Sequence, residues 1–244
     1  IILILTASVL SSVHALDYDY HTERSFIQWE PPANTKVWNA TENSDADIAN
    51  NWIPAVIPQS GEDVIFNATS TFNCNWDLVE MVGNFSILSG YSGIITQSVS
   101  FSVNNFLMLT ATFHGDSNSI LTCLNSFEQT GGNALSTDLK LKMTGTGNLA
   151  TTYNLDTIGR FHSLEIDTAG IITITDDVSP RFHFTLTAGT VNISSGKYLD
   201  ARFYADATFT FTDGIIEGSG TFRIICLTLT PVSIPFGNYN SSTE

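Results

Sequence analysis

Basic residues are scarce in this 244-residue chain, which has 9 Lys and Arg against 24 Asp and Glu and a formal net charge of −15. Nucleic acids and anionic membrane surfaces are bound through basic patches, so this balance argues against both as partners and against acidic polymers as substrates. Charged residues of both signs make up only 14% of the sequence. Neutral polar side chains must therefore cover the surface, which suits an extracellular β-protein.

Cysteine is also too rare for a disulfide-stapled scaffold or a zinc cluster, because only Cys74, Cys123 and Cys226 occur. One bridge at most can form, and buried free thiols are the preferred interpretation. Neither a Gly-X-Ser-X-Gly elbow nor a Gly-rich loop ending in Lys is present. The sequence therefore supports no catalytic residues and no organic cofactor.

Long apolar runs are limited to the first ten residues, which are too few to span a bilayer. They lead into Val13 and Ala15, at the −3 and −1 positions of a cleavage site. We predict a signal peptide over residues 1–15, truncated at its start because no Met or basic segment precedes it. The mature chain is then expected to be secreted or exposed on the cell surface, with no transmembrane segment.

Phenylalanine recurs in the sequence at a fixed interval. Two series have members 21 residues apart: Phe85, Phe106 and Phe127, and then Phe161, Phe182 and Phe203. A period of about 20–22 residues matches one rung of a three-faced β-solenoid, in which each rung pairs only with its neighbours. We predict an all-β, single-stack, right-handed parallel β-helix over residues 61–244, with a β-sandwich or jelly roll as the alternative.

Short bursts of alternating apolar and polar residues, such as Val99, Phe101 and Val103, predict strands with one buried face. Rungs stacked in register would turn both phenylalanine series into internal ladders, and Asn84 and Asn105 into an amide ladder at a corner. The 34 residues between Phe127 and Phe161 break the period. They predict an insertion at about 149–157.

Residues 16–60 read differently from the repeats and are predicted to form an N-terminal capping segment. A tryptophan, an Asn-Trp pair, an Ile-Pro pair and a Gly-Glu-Asp-Val-Ile-Phe strand follow one another over residues 38–66. This order resembles the first segment of secreted bacterial and archaeal parallel β-helix surface proteins, including autotransporter-like passenger domains. The segments 161–166 and 186–193 are similar to the repeat units of the same group. The resemblance implies an adhesin-like, cell-surface role and transfers no catalytic residues.

An open solenoid end exposes apolar cross-section and unpaired strand edges, so it must be covered. Trp38, Trp52 and Trp76 are the candidates for this cap, with a sugar-stacking platform as the alternative. Asn43, Asp45 and Asp47 place oxygen atoms at alternate positions, as short calcium loops do. An acidic solvated loop is the preferred interpretation, and calcium is the other.

Three arginines form a further 21-residue series, at Arg160, Arg181 and Arg202. An outward stripe of these side chains could bind an acidic glycan, and solvated arginines at a repeat corner explain the series equally well. His162 and His183 are expected to be neighbours on the outer surface. Candidate glycosylation sequons begin at five asparagines: Asn39, Asn67, Asn84, Asn192 and Asn240.

Two functions fit these observations. The preferred one is a non-enzymatic extracellular or cell-surface module, structural and adhesive, whose partners are glycans or other surface proteins. The alternative is a polysaccharide lyase or glycoside hydrolase that holds its substrate along one face of the solenoid. Such an enzyme needs outward carboxylates together with Arg, Lys or His on adjacent rungs, and the linear sequence shows no such cluster.

Overall fold

The computed structural model describes residues 33–42, 44–132, 134–135, 138–151, 160–203 and 208–226. At 134–135, 160–161, 203 and 225–226 only the backbone is described. The predicted signal peptide, the first part of the capping segment and residues 152–157 of the predicted insertion lie outside these ranges. In the described part of the chain, no helix is long and apolar enough to cross a bilayer.

Strands dominate the described residues. They are β1 (Thr35–Trp38), β2 (Trp52–Ile53), β3 (Asp63–Phe66), β4 (Cys74–Trp76), β5 (Met81–Ile87), β6 (Ile94–Gln97), β7 (Phe101–Met108), β8 (Thr112–His114), β9 (Ile120–Cys123), β10 (Phe127–Gln129), β11 (Ala134–Leu135), β12 (Lys140–Met143), β13 (Gly147–Ala150), β14 (Arg160–Ile174), β15 (Ser179–Ile193), β16 (Tyr198–Phe203), β17 (Thr208–Phe211), β18 (Ile215–Gly218) and β19 (Thr221–Cys226). A 3-10 turn, Ala49–Asn51, precedes β2.

The strands stack in parallel to form three faces. The first face runs through β1, β3, the second half of β5, the second half of β7, β10, β13, the ends of β14 and β15, and β18. The second face contains the first halves of β5 and β7, then β9, β12, β14, β15 and β17. The third face contains β4, β6, β8 and β11, and later β16 and β19.

These stacked coils form a β-solenoid of about 7 turns with about 21 residues per rung. The predicted all-β solenoid is therefore confirmed, and the β-sandwich alternative is wrong. A sandwich is built from antiparallel pairs, whereas every strand pairing among the described residues is parallel except that of β1 with β2.

The first phenylalanine series forms the predicted internal ladder. Phe85 pairs with Phe106, and Phe106 pairs with Phe127, in the register of the first face. Their rings are stacked, with centroids 5.5 Å and 4.7 Å apart. Leu149 takes the next place in this column, opposite both Phe127 and Ile174. The predicted insertion therefore does not include Leu149, which is buried within the stack.

The second series does not form the predicted ladder. Phe161 lies opposite Pro180 rather than Phe182, because register shifts interrupt the pairing of β14 with β15. Phe182 is only half-buried, with its ring centroid 4.9 Å from that of His162. The core position of that rung is filled by Phe184, whose ring stacks 5.6 Å from that of Phe209.

The N-terminal end of the stack is closed by tryptophans and by a short reversed strand. All three predicted capping tryptophans are buried, and β2 ends the first sheet by pairing antiparallel to β1. The indole N–H of Trp52 donates to the Ala46 carbonyl at 2.8 Å, and that of Trp38 donates to the Phe72 carbonyl at 3.1 Å. A two-residue edge strand over buried rings presents little free backbone for further pairing.

Two glycines stack at one corner and require their small size. Gly189 and Gly214 have φ values of +99° and +116°, in the region that other residues rarely adopt. A Cβ on Gly214 would lie 2.5 Å from the carbonyl oxygen of Gly189. Any other residue at 214 would push adjacent rungs apart.

The cysteines are structural where their side chains are described. Cys74 and Cys123 are buried free thiols, as predicted. Burial raises the pKa of both thiols well above the ordinary value, so neither is a thiolate nucleophile at neutral pH. The Cys226 side chain lies outside the described set.

Candidate functional site

An open groove of about 370 Å³ runs along the first face, parallel to the solenoid axis. Its floor consists of outward-facing residues of β3, β5, β7 and β10 and of Ser126 just before β10, on four consecutive rungs. Two columns form it, two residues apart along each strand: Asp63, Asn84, Asn105 and Ser126 in the first, and Ile65, Ser86, Leu107 and Glu128 in the second. Phe106 also contributes to the lining.

The first column is a hydrogen-bonded ladder. Asn105 Nδ2 donates to Asn84 Oδ1 at 2.8 Å, and Asn84 Nδ2 donates to Asp63 Oδ1 at 3.0 Å. The backbone N–H of Ser126 donates to Asn105 Oδ1 at 3.1 Å. The predicted amide ladder is therefore confirmed, and it extends by one rung at each end.

Gly83 lets the ladder begin at a carboxylate. Asp63 Oδ1 also accepts the backbone N–H of Asn84 at 2.7 Å, and a Cβ on Gly83 would lie 2.4 Å from this oxygen. A larger residue at 83 would displace the carboxylate. The sequence repeat indicated the two asparagines, but it did not indicate that they border a groove.

The second column alternates between apolar and polar side chains. Ile65 and Leu107 are half-buried apolar side chains, and Ser86 lies between them in register. Glu128 follows Leu107 on the next rung. The groove thus has a polar wall, an apolar strip and one carboxylate near each end.

The predicted calcium residues gain an acidic neighbour. Asp45 forms a parallel bridge with Asn75, which brings this loop close to Asp77. Burial, followed by the charges of Asp47 and Asp45, raises the pKa of Asp77. Sequence reasoning missed Asp77 because it lies on the next rung.

The calcium hypothesis stays a prediction. Asn43 lies outside the described residues, and within them no group of three or more His, Cys, Asp or Glu side chains is arranged to hold a metal ion. The carboxylates of Asp45 and Asp47 are neighbours of Asp77 without forming such a group.

The three predicted arginines do not share one register. The backbone of Arg160 lies opposite Ser179, two residues before Arg181. Arg181 lies with its guanidinium carbon 5.2 Å from the ring centre of Phe182. Arg202 Nη2 lies 4.0 Å from a carboxylate oxygen of Asp200. The acidic-glycan stripe therefore stays a prediction.

A buried carboxylate organises the region around Arg202. Asp200 is fully buried, and Arg223 on the next rung binds both of its oxygens at 2.6 Å. The Arg223 guanidinium also lies 4.1 Å from the ring centre of Tyr198. Sequence reasoning missed this pair because its members carry no shared motif.

The predicted histidine neighbours are found together. The rings of His162 and His183 have centroids 5.1 Å apart on adjacent rungs. His183 Nδ1 is 2.8 Å from Thr208 Oγ1. Burial is the main cause that lowers the pKa of both imidazoles. Neutral imidazoles can therefore lie side by side here without mutual repulsion.

The sequons differ in how accessible their asparagines are. Asn84 is exposed, but its Nδ2, the atom that a glycan would join, donates to Asp63 in the ladder. Asn240 lies outside the described residues. The other three sequon asparagines are half-buried: Asn39, Asn67 and Asn192. Glycosylation at any of the five stays a prediction.

No protein-family model, curated protein sequence or solved structure matches this chain. The stacked fold and the geometry of its outward faces are thus the observations from which a function can be argued.

Proposed function

We propose that this chain is a non-enzymatic extracellular or cell-surface module, a stiff β-solenoid with a structural and adhesive role toward glycans. The observation that carries the proposal is the stack of about 7 turns around one apolar core. Such a stack holds its outward residues at a fixed spacing of about 4.8 Å per rung, which suits attachment to an extended partner.

The sequence supports the same role. The expected signal peptide, the low content of charged residues and the resemblance to secreted β-helix surface proteins all favour an extracellular setting. A resemblance of pattern supports fold and location better than activity, so the adhesive role has to be tested directly.

The separation of the groove carboxylates supports a binding role for the groove over hydrolysis there, and Glu165 and Asp167, on the rung next to Lys142, both bind its Nζ at 2.8 Å as ion-pair partners. The two carboxylates of the groove, Asp63 and Glu128, are three rungs apart, which corresponds to about 14 Å along the axis. Glycosidase carboxylates lie about 5–9.5 Å apart. The adjacent pair Asp176 and Asp177 is engaged elsewhere: Asp176 binds Lys197 at 2.8 Å, and Asp177 accepts the N–H of Tyr198 at 3.0 Å.

The test is a sedimentation assay with insoluble polysaccharides. The purified full chain is mixed with neutral and acidic polysaccharides, with and without calcium, and the supernatant is analysed for new chain ends. An adhesive module sediments with at least one polysaccharide and releases no new ends. Catalytic release of new ends would establish the enzyme alternative, and absence of binding throughout the panel would refute adhesion to glycans.

A further inference from the structure

The groove on the first face has the chemistry of a carbohydrate-binding surface. We propose that it is the glycan site of this module and that its ligand is an extended neutral polysaccharide; this inference rests on the adhesive function proposed above. The sequence indicated the asparagine ladder but not the groove that it borders, and none of the three series arginines lines that groove.

The polar wall offers both donors and acceptors. An asparagine side chain has two N–H donors and one carbonyl oxygen. In the ladder, Asn84 and Asn105 each donate one N–H to the preceding rung. Each keeps a second N–H for a ligand, while the carboxylates of Asp63 and Glu128 can accept from hydroxyl groups. Sugar hydroxyls donate and accept at the same atom, so they match this mixture.

The apolar strip supplies the second half of the match. A sugar ring presents C–H groups on its faces and hydroxyls around its edge. Ile65 and Leu107 are half-buried beside the ladder, with the small Ser86 between them. A ring lying over Ser86 would contact apolar carbon on both sides and would direct its hydroxyls toward Asn84 and Asn105.

The charge of the groove selects among polysaccharides. Its charged lining residues are Asp63 and Glu128, and no Lys, Arg or His is among the residues that line it. A polyuronate or a sulfated chain would meet two carboxylates on a protein of net charge −15. A neutral chain meets no repulsion and leaves both carboxylates as hydrogen-bond acceptors.

The geometry favours a polymer over a single sugar. The groove spans four rungs, or about 14 Å between its first and last ladder positions. Asn84 and Asn105 are equivalent groups one rung apart. A ligand that repeats along the axis therefore meets the same contact more than once, and its affinity grows with length.

The experiment places a bulky side chain at the centre of the groove to exclude a ligand. Ser86→Arg places a long side chain across the floor without changing a core residue. Ser102→Arg is the matched control, because Ser102 is also half-buried and outward-facing, but on the second face. Leu107→Thr removes apolar contact and keeps a residue that suits a strand. Each full-length variant is titrated with a soluble neutral glucan, a soluble neutral mannan, polygalacturonate and a lysine-rich peptide, and its fold is checked by circular dichroism.

We expect the wild type and Ser102→Arg to bind a neutral glycan equally, and Ser86→Arg to bind about tenfold more weakly or worse. Leu107→Thr should lose about threefold to tenfold. If Ser86→Arg fails to fold, the comparison of Leu107→Thr with Ser102→Arg decides whether the glycan binds in the groove.

Equal binding by the folded groove variants and Ser102→Arg would refute the groove while leaving an adhesive module intact. If the wild type instead binds polygalacturonate or the peptide, the proposal that the ligand is a neutral polysaccharide is wrong. If the wild type binds no polysaccharide at all, both this inference and the proposed function are wrong.

Discussion

Replacement of Phe106 by alanine should remove the centre of the aromatic ladder. Phe106 is only 1% exposed, and its ring is nearly parallel to those of Phe85 and Phe127, with interplanar angles of 8° and 6°. Truncation of a buried phenylalanine costs about 3–5 kcal/mol in the free energy of unfolding. The two stacked pairs contribute about 0.5–1.5 kcal/mol each to that loss, which places the expected cost in the upper half of the range.

The matched control is Phe182→Ala. Phe182 belongs to the other 21-residue series, but it is only half-buried. Its truncation should cost about 1 kcal/mol or less. The free energies of unfolding of both variants are measured by urea denaturation, monitored by far-UV circular dichroism and compared at equal m-values. Equal losses, or a greater loss for Phe182→Ala, would refute the register assigned to the rungs.

Two further substitutions test other parts of the structure. Gln129→Met should raise the free energy of unfolding by about 1–2 kcal/mol, because both amide atoms of Gln129 are buried without a hydrogen-bond partner in the described structure. Chemical denaturation measures this change in the free energy of unfolding. Arg223→Ala should cost about 3 kcal/mol in the same assay by leaving the Asp200 carboxylate buried beside the more distant Arg202.

The histidine pair is tested by pH. Burial lowers the pKa values of His162 and His183 below the ordinary 6.5. At a pH between the lowered folded pKa values and 6.5, the unfolded chain therefore binds more protons than the folded one. The histidine contribution should therefore reduce stability as the pH falls through 6.5 toward the folded pKa values, and the double variant with glutamine at both positions should lose less. An equal loss in both proteins on unfolding at neutral and acidic pH would contradict this assignment.

The first half of the solenoid was predictable because its period is regular. Between β5 and β10 each rung has the same length, so equal spacing in sequence becomes register in space, as for Phe85 and Phe106. The same regularity aligned Asn84 with Asn105. The groove itself was not predictable, because it depends on Ile65, Leu107 and other residues that share no motif.

The second half deviates because its strands contain irregularities. Register shifts occur between β14 and β15, so a 21-residue interval no longer equals one rung there. Phe182 is therefore only half-buried while Phe184 is fully buried. Periodicity in sequence cannot reveal where a bulge absorbs a residue, since the bulge is set by packing on the neighbouring rung.

The most direct test of glycan binding along the axis is a titration of the wild-type chain with neutral oligosaccharides of increasing length. The account predicts that affinity rises until the oligomer spans the four rungs of the groove, about 14 Å, and then levels off, with the oligomers recovered intact. Affinity that is independent of length, or cleavage of the oligomers, would contradict it.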